Sequence, residues 1–412
     1  MEFIVEKRIA LTGKENGNQW NGKSHKMTVP WIVTAIVFSI LSAVSYMYIF
    51  NRTDQTLHQA SNTVNVKTDF NAKGDGLHDD TQAIQAALND VDKGGTVIIP
   101  PGVYKVSKNM ANKVSTGYGT SYSAFKITKP ATIIMQGAVF QTQTKDQYGV
   151  FWIYKTSNVS LKGGSLKGDT LPADGIYTSR VGVLIQECDH CSIDGMYLKN
   201  FSQGINIYKS QFSTLRNVTS EFNKGSGIIN FLSSNSLIDS CTIRNSGDGH
   251  LSLYGGGKNN TVTNCTIIEN RTEESGQQGI TLEKEKNSTI NNNTITGFYY
   301  GIDIKNGSDS CTIDNNNAYN NQFNIAIRPG DPGRNGQLTS NNIRIINNTV
   351  IKPRNQAGTG GILIKIGSGH LVQGNTIEEG GLLMTGGVSI KSNLEFNNNK
   401  FIDNLFVKKS DS

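Results

Sequence analysis

Seven polar residues in the middle of this chain have side chains suited to acid–base work: Asp248, His250, Tyr254, Glu283, Asp303, Lys305 and Arg328. His250, Tyr254 or a lysine of lowered pKa can serve as a base. Lys305 and Arg328 can neutralise the charge that grows when a proton leaves the carbon beside a carboxylate. Neighbouring cations lower a lysine pKa, which suits Lys305 to the role of base. Glu283 and Asp303 offer a different chemistry, that of a hydrolytic carboxylate pair. No cofactor is expected. Calcium would need several carboxylates at one spot, whereas Glu283 and Asp303 stand beside Lys305.

A repeat must position these residues. Asn293, Asn316, Asn348, Asn375 and Asn399 recur in one local frame, each between short β-branched runs. The frame extends backwards with Met196, Val218, Cys241 and Cys265 in the same slot, giving nine consecutive coils. Such a period marks a solenoid. The chain is rich in Gly (44), poor in Pro (8) and has no long amphipathic pattern beyond residue 90, which predicts an all-β repeat fold. Upstream of each slot lies a strand such as Gly204-Ile-Asn-Ile-Tyr208, Gly279-Ile-Thr-Leu-Glu283 or Gly301-Ile-Asp-Ile-Lys305. Alternation sends the apolar residues inward and the others outward. Only Gly227–Phe231 breaks the pattern, which predicts a bulge.

Stacking then predicts two exposed outer columns. One runs Asn206, Ser252, Thr281, Asp303, Ala326, Leu363, Ser389. The other runs Gln186, Tyr208, Tyr254, Glu283, Lys305, Arg328, Lys365, Lys391. Four cations on successive coils repel one another, and a bound polyanion turns that repulsion into attraction. Tyr208 and Tyr254 can stack on rings. The long insertion Gly168–Val181, with Asp169, Asp174 and Arg180, is expected to overhang one end of this face. A second, Gly330–Thr339, overhangs the other.

Residues 64–104 form a distinct block. It contains Gly74-Asp-Gly76, Asp79-Asp80-Thr81, an apolar helical stripe of Ile84, Ala87 and Leu88, and Gly94-Gly-Thr-Val…Pro-Pro-Gly-Val-Tyr104. Asp79 or Asp80 is placed to cap the short helix, which covers the open end of the solenoid. This block resembles the start of the rhamnogalacturonase/epimerase-type, pectate-lyase-like domain of right-handed parallel β-helix proteins. The resemblance implies a single-stranded right-handed parallel β-helix, and a polysaccharide lying along the outer columns. It also implies that Asp79 and Asp80 are structural.

Ser246-Gly-Asp-Gly-His-Leu-Ser-Leu-Tyr254 is similar to a strand of family 28 glycoside hydrolases, with its His displaced by one. The paired Asp of that family is replaced by Asn223-Lys-Gly-Ser, and its Arg-Ile-Lys by Gly279-Ile-Thr-Leu-Glu-Lys284. Asp248-Gly-His250 loosely resembles the Asp-Pro-His motif of alginate-type epimerases. The resemblance thus favours a lyase or C5-epimerase acting on a uronate polymer. A glycoside hydrolase and a non-catalytic carbohydrate-binding or adhesin-like β-helix stand as alternatives. The expected catalytic residues are His250, Asp248, Tyr254, Glu283, Asp303 and Lys305. The expected binding residues are Tyr208, Arg328, Lys365, Lys391 and Arg180, and no metal ligand is expected.

No charge lies between Lys26 and Arg52, and 28–50 is long and apolar enough for a transmembrane signal anchor. Lys7, Arg8, Lys14, Lys23 and Lys26 precede it, so residues 1–27 are expected in the cytoplasm and the rest outside. A linker at 51–63, a cap with first coils at 64–130, the β-helix at 131–407 and a tail at 408–412 complete the expected plan. Secretion after Ala43-Val-Ser45 is the minority alternative. The net charge of +6 is too mild to argue for or against nucleic acid, which is not among the expected partners. Nothing in the sequence settles an oligomeric state. The odd count of five cysteines argues against a disulfide framework, and Cys188-Asp-His-Cys191 alone is a weak metal or redox signal.

Overall fold

The computed structural model describes residues 62–115, 120–143, 148–169, 180–271, 278–330, 338–351, 360–379, 382–384 and 395–402. Met1–Ala60 separates as its own unit and falls outside those residues, while Ser61–Ser412 carries the fold. The apolar segment 28–50, Asp174, Ser389 and Lys391 also lie outside the described residues. Among the described residues no helix is long and apolar enough to cross a membrane.

Short strands wind into three sheets of thirteen, thirteen and twelve strands, parallel except at the end of the third, where Asn109–Ser115 runs antiparallel to Thr120–Ile127. One coil supplies one strand to each sheet, which makes a right-handed parallel β-solenoid. Ile205, Ile228, Leu251, Ile280, Ile302 and Ile325 stack on consecutive coils of the third sheet. All six are buried, as part of one core that runs the length of the solenoid.

The expected bulge at Gly227–Phe231 is absent. The strand Ile228–Phe231 runs in unbroken register with both neighbours. Alternation survives because Asn230 turns inward, where its Oδ1 accepts a hydrogen bond from Ser236 Oγ at 3.3 Å. A buried amide is tolerated when it is bonded in this way.

The asparagine ladder is continuous. Asn316 Nδ2 donates to Asn348 Oδ1 at 3.0 Å and to Ile290 O at 2.8 Å. Its Oδ1 accepts from Asn293 N and Nδ2 at 3.0 and 2.9 Å. Asn348 and Asn375 repeat the pattern onto Asn375 and Asn399. The residue before the slot is left-handed in Asn217, Ser240, Asn264, Asn292, Asn315 and Asn347, with φ between 51° and 57°. Asn reaches that region at low cost, so the turn uses it twice.

Helix α1, Thr81–Asp90, buries Ile84, Ala87 and Leu88 against the first coils. Asp80 occupies its N-cap position, yet its side chain does not cap the helix. The carboxylate instead accepts from Lys73 N and Gly74 N at 2.6 and 2.9 Å and ties down the Gly-Asp-Gly loop. Asp79 accepts from Thr81 N at 2.9 Å. The five cysteines are buried free thiols.

Candidate functional site

The outer columns of the third sheet follow the expected register. Thr281 pairs with Asp303, Glu283 with Lys305, and Lys305 with Arg328. Their expected exposure is wrong. Asp303 is fully buried, and Thr281, Glu283, Lys305 and Arg328 keep 4–8 % of their surface. Stacked side chains about 4.8 Å apart shield one another, and here they also bond to one another.

The expected repulsion between cations is likewise corrected. Arg328 grips Asp303 with two parallel bonds, Nε to Oδ1 and Nη2 to Oδ2, both 2.8 Å. The Arg328 guanidinium also lies 4.7 Å from the Tyr300 ring centre. Lys305 Nζ stands 3.7 Å from Asp303 Oδ2 and 3.8 Å from Glu283 Oε2. Glu283 Oε1 accepts from Asn306 Nδ2 at 2.9 Å. Two acids and two bases thus meet in one cluster on adjacent coils. Beside it, the buried hydroxyl of Thr281 has no hydrogen-bond partner among the described residues. Removing charges from water is costly, and the fold does not need them here. Neighbouring coils fill the Asp303 column with Ser252, Ala326 and Leu363, and the Lys305 column with Phe231 and Tyr254.

Toward the N-terminal coils the same face turns aromatic. Tyr208, Phe231 and Tyr254 stack at 5.2 and 5.1 Å. Phe231 fills the gap between the two expected tyrosines, a place that the apparent bulge concealed. Further along, Trp152 and Tyr154 lie 4.4 Å apart. Reading one strand earlier with the same alternation would have found both.

The remaining expected site residues are scattered. His250 is fully buried beneath the sheet and packs edge-on against Phe298 at 4.6 Å. Ser246 N donates to its Nε2 at 3.0 Å, so that nitrogen is an unprotonated acceptor. The 3.6 Å approach of Glu269 to the same atom is therefore not an ion pair. Burial holds the imidazole pKa down to about 3. A base for a groove-bound substrate must reach it, and His250 cannot. Asp248 offers its backbone oxygen to His250 Nδ1 at 3.3 Å. Arg180 is 2 % exposed and faces Asp169 at 3.5 Å, so it is a buried residue rather than an open cation. Lys365 follows Arg328 in the column and keeps intermediate exposure. Among the described residues no group of three potential metal ligands occurs.

Residues 63–170 match the family described as rhamnogalacturonase A/epimerase, pectate lyase-like, and residues 148–323 match the right handed beta helix region. The chain is 62% identical to alginate lyase 7 of Azotobacter vinelandii over 45 residues, 10% of this chain and 5% of that protein. It is 26% identical to plasmin and fibronectin-binding protein A of Streptococcus pneumoniae over 256 residues, 60% of this chain and 30% of that protein. The chain thus spans less than a third of either relative. Among solved structures, the A-module of mannuronan C-5 epimerase AlgE4 from Azotobacter vinelandii aligns with a TM-score of 0.66 at 16% identity, covering 85% of this chain and 100% of that one. A family 28 exopolygalacturonase of Yersinia enterocolitica aligns at 0.60 and 13% identity, covering 83% and 75%. At these identities the structural likeness is one of fold. With three stacked sheets, a helical cap and both regional matches in agreement, the described residues form a right-handed parallel β-helix whose residues 63–170 are similar to the pectate lyase-like, rhamnogalacturonase A/epimerase family.

Proposed function

We propose that the chain acts on an anionic, uronate-containing polysaccharide laid along the outer face of the third sheet. The reaction removes the proton at C5, the carbon alpha to the uronate carboxylate. The electron pair spreads into the carboxylate as an enolate-like charge. Expulsion of the C4 oxygen then gives a lyase product, and return of a proton to the opposite face gives the C5 epimer. Lys305 and Arg328 supply the positive charge this intermediate needs. Tyr254, half-buried and paired in register with Glu283, takes the C5 proton and can pass it to the leaving C4 oxygen, while the proton that completes the epimer comes from solvent on the opposite face.

One observation carries this reading. Lys305 is held between two carboxylates, with Arg328 clamped behind, at positions where the fold needs no charge. Clusters of this kind collect at functional sites. The fold shared with the epimerase module and the 45-residue match to the alginate lyase fit uronate chemistry.

Hydrolysis fits less well. An inverting pair stands roughly 6.5–9.5 Å apart with a water between. Here the Lys305 ammonium occupies that place, and both oxygens of Asp303 face cations. A non-catalytic carbohydrate binder is the second reading. The closed ion pairs and the match to a plasmin and fibronectin-binding protein favour it.

The test is incubation of the purified chain with pectate, alginate and hyaluronan. Ultraviolet absorbance of unsaturated uronates reports a lyase, and NMR of the product reports an epimerase. Lys305→Ala is expected to lower turnover about 10²–10⁴-fold while binding persists. If none of the uronate polymers changes, the enzymatic reading is sunk. We also propose that 28–50 anchors the chain with its β-helix outside the cytoplasm. Protease treatment of intact cells checks this, and a β-helix that stays protected until lysis overturns it.

A further inference from the structure

Among the described residues the ionic cluster sets Asp303 and Glu283 against Lys305 and Arg328. Net positive charge gathers elsewhere, at the corner where the N-terminal coils leave the third sheet. An open hollow of about 570 Å³ lies there, lined by Lys93, Lys129 and Lys155, by the hydroxyl residues Thr128, Thr156 and Ser157, and by Glu187. Glu187 meets Lys155 at 3.6 Å, which leaves two lysines of the lining without a carboxylate in the hollow.

This hollow continues onto the outer face. Lys155 Nζ lies 5.1 Å from the centre of the Tyr154 ring. Lys126 Nζ lies 4.5 Å from the Trp152 ring and 5.0 Å from Tyr154. Trp152 is itself fixed, because its Nε1 donates to Gln186 Oε1 at 3.0 Å. Ammonium groups resting on rings are attracted to the ring faces and lose freedom before any ligand arrives. An anion that meets them finds its partners already placed.

We infer that this corner is a second polysaccharide site, which holds carboxylate-bearing sugars through Lys93, Lys126, Lys129 and Lys155. It lies six strands from the ionic cluster along the same sheet, roughly 29 Å at the usual strand spacing. A long polyuronate can engage both places at once. An oligomer too short to span them can engage one. The inference rests on the anionic polysaccharide proposed above, and not on whether that polymer is turned over.

The probes are polygalacturonate, its carboxyl-reduced neutral counterpart, and a galacturonate trimer, each titrated into the full chain. The variant carries Lys93→Gln, Lys126→Gln, Lys129→Gln and Lys155→Gln together, with circular dichroism as the folding control. Polygalacturonate binding is expected to weaken about 10²-fold in the variant and to lose much of its salt dependence. Binding of the neutral polymer is expected to stay the same in both proteins. Turnover of the trimer, where it occurs, is expected to stay within twofold or so, since the lysines lie remote from the cluster. Unchanged polygalacturonate affinity in the folded variant overturns the inference, even if Lys305→Ala abolishes turnover. Lysine-dependent binding without turnover upholds it and sinks the enzymatic reading alone.

Discussion

On the three coils that end at the strand Leu251–Tyr254, one outer column of the third sheet is aromatic, and up to that coil the ladder slot holds Met196, Val218, Cys241 and Cys265. From the next strand, Gln278–Glu283, the face is ionic, and the slot holds Asn. Both changes fall on the same coil. Apolar stacks depend on contact area and have little direction, so small slips between coils cost little. An amide ladder bonds each turn to the next at fixed angles. A buried charge cluster needs that control, because its partners must be held within about 0.5 Å. The polar half of the core therefore supports the polar half of the surface. The joining coils also bury His250, Glu269 and Glu285.

The largest difference should appear on truncating a charge. Arg328→Ala leaves Asp303 buried without its guanidinium and should cost about 3–5 kcal/mol. Denaturant midpoints measure this, with Arg328→Lys as a partial rescue. A loss below about 1 kcal/mol would show that water reaches Asp303 freely.

The joining coils should set opposite pH limbs. His250 is held down to about 3, so its contribution is complete above its unfolded value near 6.5 and fades as pH falls toward 3. Glu285 is pushed up to about 7, chiefly by burial, and one of its oxygens lacks a hydrogen bond. Its contribution is complete below about 4.5 and fades as pH rises toward 7. Gly257 makes room for that carboxylate, since a Cβ there would meet Glu285 Oε1 and Ser233 O. Glu285→Gln should gain about 3 kcal/mol above pH 7.5 or so and flatten the alkaline limb. A variant whose stability at that pH matches the native chain would refute the buried acid.

Asn316→Ala should cost about 2 kcal/mol, because it strands the backbone N–H of Asn293 in the core. Cys241→Ala, in the apolar half, should cost about 1 kcal/mol or less for its smaller transfer term. Equal losses would dissolve the distinction between the two halves of the ladder.

The repeat made much of this legible in the sequence. The Asn frame set the strand register, and Glu283, Asp303, Lys305 and Arg328 fall in the columns it implied. Burial was not legible. Alternation says which way a side chain points, and not whether its neighbours close over it. His250 misled for a related reason. Its position just before a strand reads as an outward turn, while its ring folds under Ser246 and Phe298. Phe231 was missed because Asn230 looks like an outward residue, yet the core contains Ser236 to satisfy it.

Phe231 gives the finest test of the comparison. Its ring lies between Tyr208 and Tyr254 and shares no ion pair with the cluster. Each stacked pair is worth about 0.5–1.5 kcal/mol beyond burial. Phe231→Leu keeps most of the apolar area, so it isolates the stacking and should cost about 1 kcal/mol. If the aromatic half is a surface that polymers lie on, the same variant should weaken a long polyuronate while a short oligomer reacts as before. Should Phe231→Leu instead lower turnover as far as Lys305→Ala does, Phe231 would belong to the reacting centre together with its stacked neighbour Tyr254. The boundary between the halves would then lie at least one coil nearer the N-terminus.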